Sequence, residues 1–361
     1  MVPPLLADAE ALYSYGRVDD AKSKIQEELQ QNPANAEAYD LLGVISVSEQ
    51  NYDGARDAFQ HALKLEPNSA RTRNNLGNVY VAQGTFDLAE QELRTVLRTA
   101  PADRDANYNL GLVLLAQGLP AKAILHFQRV RPANLETKFN LTRAYLQAGR
   151  TAEGLQSATE LSNENKDNVQ LHFTLGVLLA AEKQYRAAQL ELESANALQP
   201  ETFEILYNLG QVYLRAGEYP KAELALNRAL KLKPDSPEAL YLLAQVFSDQ
   251  KKSVDALDLL VRAHKLAPQN ADITFLLARV SMGQNYFEDA IPLLESGLQI
   301  SPKRADLRAA LGESYFMSGK TEKAIEEFKE LIALEPSAAS YAFMGSGRAI
   351  TLPPRLFFRK R

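Results

Sequence analysis

A spacing of 34 residues between prolines constrains this chain more than any other feature of its sequence. Eight prolines follow this spacing in two runs, Pro33, Pro67 and Pro101, then Pro200, Pro234, Pro268, Pro302 and Pro336. The interval from Pro101 to Pro200 is 99 residues, three short of three full periods. A fixed period of this length is typical of stacked repeats, so we expect one extended array and not two ordinary globular domains.

Leucine, glycine and alanine repeat with the same period. Leucine recurs at the seventh position of nine units, glycine or alanine at the eighth position of most units, and alanine at the twentieth, as in Leu209, Gly210 and Ala222. Around the Leu-Gly pair, apolar residues recur with helical spacing. A loop that usually contains glycine follows, and a second helix runs to the proline that stops it. Each unit therefore predicts two helices, and a small residue at the eighth position lets their backbones approach closely.

The run from Tyr207 to Tyr213, with Gly217, Ala222 and Pro234, closely resembles the tetratricopeptide repeat. The resemblance covers about residues 2–338 and implies an all-α fold, a right-handed α-solenoid superhelix of helix-turn-helix units whose first helices line a concave groove. The predicted repeats are 2–35, 36–69, 70–103, 104–134, 135–168, 169–202, 203–236, 237–270, 271–304 and 305–338.

Repeats four and five depart from this pattern. Repeat four is three residues short and meets Pro132 early, while repeat five has Thr142 at its eighth position and Gly154 at its twentieth. Two interpretations remain: a drifted pair that packs normally, or a hinge that changes the superhelical pitch. The segment 339–361 holds five basic residues and no acidic one. We predict a disordered tail or partial cap there, with contact to an acidic surface or lipid head groups as the alternative.

Composition and motifs favour a binding protein without catalysis. The net charge of -5 and pI near 5.6 argue against a nucleic-acid binder. There is no cysteine, and the four histidines have no ligand spacing, so we predict no metal and no cofactor. No nucleophile–base or paired-carboxylate arrangement predicts an enzyme. No apolar run is long enough to span a bilayer, so we expect a soluble protein, cytoplasmic or, if a signal was removed, bacterial periplasmic.

Positions 2, 5, 6 and 9 of the repeats share one helical face, which predicts a peptide-binding groove. Side-chain amides recur at position 6, in Asn75, Asn109, Asn140 and Asn208. Aromatic rings recur at position 5, in Tyr108, Phe139, Phe173, Tyr207, Tyr241 and Phe275. Amides both donate to and accept from an extended peptide backbone, and rings add apolar contact. A similar asparagine ladder lines the repeats of O-linked N-acetylglucosamine transferase. Packing within the array is the alternative interpretation of both rows.

A carboxylate clamp for the acidic tails of heat-shock chaperones is predicted to be absent. Such a clamp needs basic residues at positions 2 and 6, and position 2 is acidic in most repeats, with Arg71 its one basic residue. The leading hypothesis is a non-catalytic scaffold or adaptor that binds a partner peptide or helix in the groove. Two alternatives stay open: a targeting region of a larger enzyme such as a glycosyltransferase, and an end-to-end self-assembly module.

Overall fold

The structure is a computed structural model that describes residues 4–336, and its regular secondary structure there is entirely helical. The chain divides into two compact units, Met1–Lys166 and Asp167–Arg361. The boundary falls at the end of predicted repeat five. The extent of the predicted single array and the hinge interpretation stay predictions, and the predicted tail 339–361 lies outside the described residues.

Each unit contains ten described helices that pack against one another in chain order. In the first unit they are α1 Pro4–Ser14, α2 Val18–Gln31, α3 Ala36–Ser48, α4 Tyr52–Leu65, α5 Ala70–Ala82, α6 Phe86–Thr99, α7 Arg104–Ala116, α8 Pro120–Phe127, α9 Leu135–Gln147 and α10 Thr151–Glu164. In the second unit they are α11 Val169–Ala181, α12 Tyr185–Leu198, α13 Phe203–Ala216, α14 Tyr219–Leu232, α15 Pro237–Asp249, α16 Ser253–Leu266, α17 Ala271–Gly283, α18 Phe287–Ile300, α19 Ala305–Met317 and α20 Thr321–Leu334.

Every predicted repeat contains one pair of these helices, so the fold is an all-α solenoid of helix-turn-helix units. Odd-numbered helices are the first helices of the repeats and even-numbered helices the second. The second helices of the other repeats have 14 residues, as in α6 and α10, whereas α8 of repeat four has eight. The three-residue deficit of repeat four thus falls beside its second helix, before Pro132.

Most first helices begin at a side-chain cap, and all of these caps except Asn168 follow the closing proline of the previous repeat. An asparagine, serine or aspartate accepts a hydrogen bond from a backbone N–H in the first turn, which satisfies a donor that the helix leaves unpaired. These capping residues are Asn35, Ser69, Asp103, Asn134, Asn168, Ser236 and Asn270. Local chemistry therefore fixes where the repeat begins.

The turn inside a repeat needs one residue in the left-handed region. In repeat seven this residue is Gly217, with a φ of 77°, and in repeat six the corresponding residue is Lys183, with a φ of 59°. A side chain in this region costs about 1 kcal/mol, which a stack of packed neighbours can offset. The same turn is therefore kept where the glycine is missing.

The core of a repeat depends on matching sizes at its positions 8 and 24. A Cβ atom built on Gly111 would lie 2.5 Å from Cε1 of Phe127, and one built on Gly210 would lie 2.5 Å from Cγ of Leu226. Both large side chains are essentially fully buried. Glycine at position 8 therefore makes the space that the large residue at position 24 fills.

Repeat five reverses this arrangement, which explains its departure from the sequence pattern. Its position 8 is Thr142, fully buried, and its position 24 is the small residue Ala158. The Thr142 hydroxyl lies 2.9 Å from the carbonyl oxygen of Lys138, to which it donates, and 2.7 Å from Oγ of Ser157. Gly154 makes room for Leu146, whose Cδ2 would lie 2.6 Å from an added Cβ. In repeat five the larger residue therefore stands at position 8 and the small residue at position 24.

Candidate functional site

The four predicted asparagines lie on first helices, three in the first unit and one in the second. Asn75 on α5 and Asn109 on α7 are half-buried. Asn140 on α9 is buried, and Asn208 on α13 is half-buried. Equal repeat positions therefore do not give equal exposure.

Asn75 and Asn109 line the same polar cleft, because α5 and α7 are neighbouring first helices that contact each other. The cleft has a volume of about 520 Å³. We call it the asparagine cleft, and define it by its lining residues Arg71, Asn74, Asn75, Asn78, Asp103, Asp105 and Asn109. Four amides on two adjacent helices thus face one space, which suits recognition of a peptide backbone.

Asn140 and Asn208 use their amide groups within the array. Nδ2 of Asn140 donates to Oη of Tyr108 and to the carbonyl oxygen of Glu136, both at 3.1 Å. Nδ2 of Asn208 donates to the carbonyl oxygen of Glu204 at 2.7 Å. Neither residue lines the asparagine cleft. The bond from Asn140 to Tyr108 instead ties α9 to α7.

The six predicted aromatic residues are all half-buried, and none lines the asparagine cleft. The Tyr108 ring packs against Phe127 with ring centroids 6.0 Å apart, and the Tyr207 ring stacks on Phe203 at 5.9 Å. The guanidinium carbon of Arg304 lies 5.2 Å from the centroid of the Phe275 ring. Packing inside each unit therefore uses part of every one of these three rings.

Three phenol groups of this aromatic row stay neutral over a wide pH range. Burial raises the pKa of Tyr108, and a hydrogen bond with the Glu136 carboxylate raises it further. Burial also raises the pKa of Tyr207 and of Tyr241, whose Oη accepts a hydrogen bond from Nε2 of Gln245 at 2.9 Å. The hydroxyl groups of Tyr108 and Tyr241 accept hydrogen bonds from Asn140 and Gln245.

The asparagine cleft contains residues that the sequence analysis did not single out. Asn74 and Asn78 stand at positions 5 and 9 of repeat three, where other repeats carry other residue types, so no row of asparagines marked them. Asp103 caps α7: its carboxylate accepts a hydrogen bond from the backbone N–H of Ala106 at 2.8 Å. A signal was present in the three asparagines and two arginines within residues 71–78.

Arg71, the one basic residue at position 2, is paired with a buried acid. Its Nη2 lies 2.7 Å from Oδ2 of Asp40, and only 4% of the Asp40 side chain is exposed. Asp40 is the position-5 residue of the preceding repeat. Asp40 therefore holds the Arg71 guanidinium at the edge of the asparagine cleft and compensates its positive charge.

The second unit has a cleft of its own, of about 530 Å³. It lies beside the turn between α13 and α14 and the end of α15, and Arg215, Tyr219, Gln245 and Asp249 are among its lining residues. Oη of Tyr219 donates to Oδ2 of Asp249 across a long distance of 3.5 Å. None of the predicted site residues lines this cleft.

The described residues contain neither a membrane-spanning helix nor a cluster of metal-ligating side chains. Within residues 4–336, no helix combines the length and the apolar character that crossing a bilayer requires. In the same range, no three His, Cys, Asp or Glu side chains come together as metal ligands would.

Comparison with known proteins finds helical-repeat families along most of the chain. The model of the cytochrome c-type biogenesis protein H TPR domain matches residues 18–138, and that of anaphase-promoting complex, cyclosome, subunit 3 matches residues 216–297. A tetratricopeptide repeat model matches residues 179–246 and 281–345. No curated protein matches the chain.

Solved structures resemble the chain in fold at low sequence identity. Yeast Tom70 is 13% identical, with 95% of each chain covered and a TM-score of 0.50. YrrB, described as a TPR protein with an unusual peptide-binding site, is 20% identical over 53% of this chain and 98% of its own, with a TM-score of 0.46. The first of these similarities supports the solenoid fold.

Proposed function

The chain belongs to the tetratricopeptide repeat family, and we propose that it is a non-catalytic scaffold that binds an extended segment of a partner protein on its first helices. The scaffold character follows from the fold, which offers a long surface built by short repeats. The finer proposal concerns where and how the segment binds. We assign it to the asparagine cleft between α5 and α7.

One observation carries this assignment: four amide side chains from two adjacent helices line one cleft. An amide presents a donor and an acceptor together, which matches the alternating N–H and C=O groups of an extended backbone. Such binding tolerates many side chains of the partner, because the peptide backbone is common to all of them. Asn75 and Asn109 are half-exposed and therefore reach a partner without any rearrangement of the core.

The two remaining asparagines of the predicted row have a different role in this proposal. The side-chain amide of Asn140 donates to Oη of Tyr108, and that of Asn208 donates to the carbonyl oxygen of Glu204. We propose that they stabilise the array and contribute little to binding. None of the six aromatic residues lines the asparagine cleft, so contact of their rings with a partner segment stays a prediction.

Selection of random peptides displayed against the full chain tests the proposal. Peptides recovered on the wild-type chain are then measured by fluorescence anisotropy against Asn75→Ala/Asn109→Ala. We expect dissociation constants to rise about tenfold, because two backbone-directed hydrogen bonds contribute about 0.5–1.5 kcal/mol each. Asn227→Ala is the matched control, since Asn227 is exposed on the second helix α14.

Two results would count against the asparagine cleft as the binding site. Selection that recovers no binding peptide would remove the peptide-groove proposal altogether. Peptides that bind Asn75→Ala/Asn109→Ala as tightly as the wild type would move the site elsewhere. The targeting-region and self-assembly alternatives stay predictions, and a monomeric mass at high concentration would argue against the second.

A further inference from the structure

The charges around the asparagine cleft do not cancel. Arg71 contributes one positive charge, which its partner Asp40 offsets at 2.7 Å. Asp103 and Asp105, which also line the cleft, contribute two further negative charges, so the four groups sum to +1 - 1 - 1 - 1 = -2. Arg104 stands between the two aspartates in sequence but does not line the cleft.

The two aspartates are available to a ligand. Asp105 is exposed and forms no ion pair within the described residues. Asp103 accepts from the Ala106 backbone N–H through Oδ1, the same oxygen that faces Asn74. Asp103 therefore keeps an oxygen, Oδ2, for a further donor.

Asn74, which also lines the cleft, has a buried amide oxygen that accepts no hydrogen bond from the described residues. Its residue exposure is 7%, and Nδ2 donates to Oδ1 of Asp103 at 3.4 Å. This contact fixes the orientation of the amide, because the reverse orientation would set Oδ1 of Asn74 against a carboxylate oxygen. Oδ1 of Asn74 is buried and accepts no hydrogen bond from any described residue. A buried acceptor without a donor is destabilising, and a donor of the ligand can satisfy it.

A ligand group that compensates the two aspartates and satisfies Oδ1 of Asn74 must carry positive charge and donate hydrogen bonds. Ammonium and guanidinium groups have donors and no acceptor. A carboxylate ligand would instead bring a third negative charge beside Asp103 and Asp105 and would leave Oδ1 of Asn74 unpaired. The charges and the unpaired acceptor therefore favour the same chemical class.

We infer that the asparagine cleft selects a basic side chain, lysine or arginine, of the bound partner segment. This inference rests on the proposed function and adds charge selectivity to it. The amides of Asn75, Asn78 and Asn109 hold the segment's backbone, while Asp103, Asp105 and Oδ1 of Asn74 bind the cationic group. It is the opposite of a clamp for acidic tails.

Three peptide pools and the immobilised full chain test this selectivity. The pools are blocked at both ends and random except for one fixed central residue, which is lysine, norleucine or glutamate. The variant Asp103→Asn/Asp105→Asn removes both charges while an asparagine at 103 still caps α7. Asp258→Asn is the charge control: Asp258 is exposed on the second helix α16 and forms no ion pair within the described residues.

We expect the wild-type chain to capture the lysine pool about fivefold more than the norleucine pool, with the glutamate pool lowest. The double variant should capture the lysine and norleucine pools equally, and Asp258→Asn should behave as the wild type does. Equal capture of all pools by the wild-type chain, or enrichment of glutamate, would overturn the selectivity and leave backbone binding standing. A lysine preference that persists in the double variant would show that the selectivity does not come from Asp103 and Asp105 in this cleft. Capture of no pool would overturn the proposed function together with this inference.

Discussion

Replacing Gly111 with alanine is the sharpest test of how the repeats pack. Gly111 stands at position 8 of repeat four, and an added Cβ would lie 2.5 Å from Cε1 and 2.7 Å from Cζ of Phe127. Ordinary contact begins at 3.4 Å, so the ring would have to move by about 0.9 Å (3.4 - 2.5). Phe127 is 1% exposed and packs against Tyr108, so the ring is enclosed by neighbouring side chains.

The expected cost is the difference of two effects. Overpacking a closed core costs about 1–3 kcal/mol, and a clash with an enclosed ring belongs near the upper end. Replacing glycine with alanine inside a helix stabilises the helix by about 1 kcal/mol. We therefore expect Gly111→Ala to lower the free energy of unfolding by about 2 kcal/mol.

Urea unfolding followed by far-UV circular dichroism measures this change. Repeat arrays can unfold in stages, so hydrogen exchange of the α7 and α8 amides should accompany it to locate the effect. Gly283→Ala is the matched control, because Gly283 is helical and has nothing within 4 Å of an added Cβ. We expect that control to be neutral or slightly stabilising.

A compensating substitution makes the reasoning refutable. Phe127→Leu in the Gly111→Ala background creates the pair that the chain already uses at Ala244 and Leu260, at the same separation of 16 residues. The double variant should be more stable than Gly111→Ala alone. If Gly111→Ala is as stable as the wild type, or if Phe127→Leu lowers its stability further, size matching between positions 8 and 24 does not control the packing.

Two further predictions concern buried polar groups. Burial lowers the pKa of His126, and the charges of Arg129 and Arg94 add to this. The unfolded chain then binds the proton more readily, so stability should fall as the pH drops below the unfolded value of about 6.5, by at most about 1.4 kcal/mol per pH unit. Urea unfolding at pH 5 and pH 7 should show a smaller difference for His126→Gln, and an unchanged difference would contradict the assignment. Thr142→Val should lower the unfolding free energy by about 1 kcal/mol, because it removes the hydroxyl bonded to Lys138 and Ser157. Thr159→Val on the exposed face of α10 is its control in the same urea assay, and equal losses would contradict the buried role.

Local and periodic features of the molecule could be predicted from the sequence alone. The proline spacing, the Leu-Gly pair and the recurring alanine predicted ten helix pairs, and the structure has twenty helices within residues 4–336. These features are readable because capping and turn chemistry act between residues a few positions apart, and the position-8 contact lies within one repeat. Even the exceptional Thr142 has its explanation in Ala158, sixteen residues later in the same repeat.

Only the tertiary structure decided which asparagines share a surface. Asn75, Asn109, Asn140 and Asn208 occupy one repeat position, yet the first two line a common cleft and the others bond inside the array. The difference arises because the partners of these amides do not follow the period: Asn140 donates to Tyr108 on α7, whereas Asn208 donates to Glu204 in its own helix.

The pairing of charges was hidden for the same reason. Arg71 at position 2 meets Asp40 from the preceding repeat, and Asn74 meets Asp103, the last residue of its own repeat. Such contacts join residues about one repeat apart, and each depends on both residue types being present together. A 34-residue period specifies which helices are neighbours, whereas the side chains that meet between them determine where this protein has charge and unpaired acceptors.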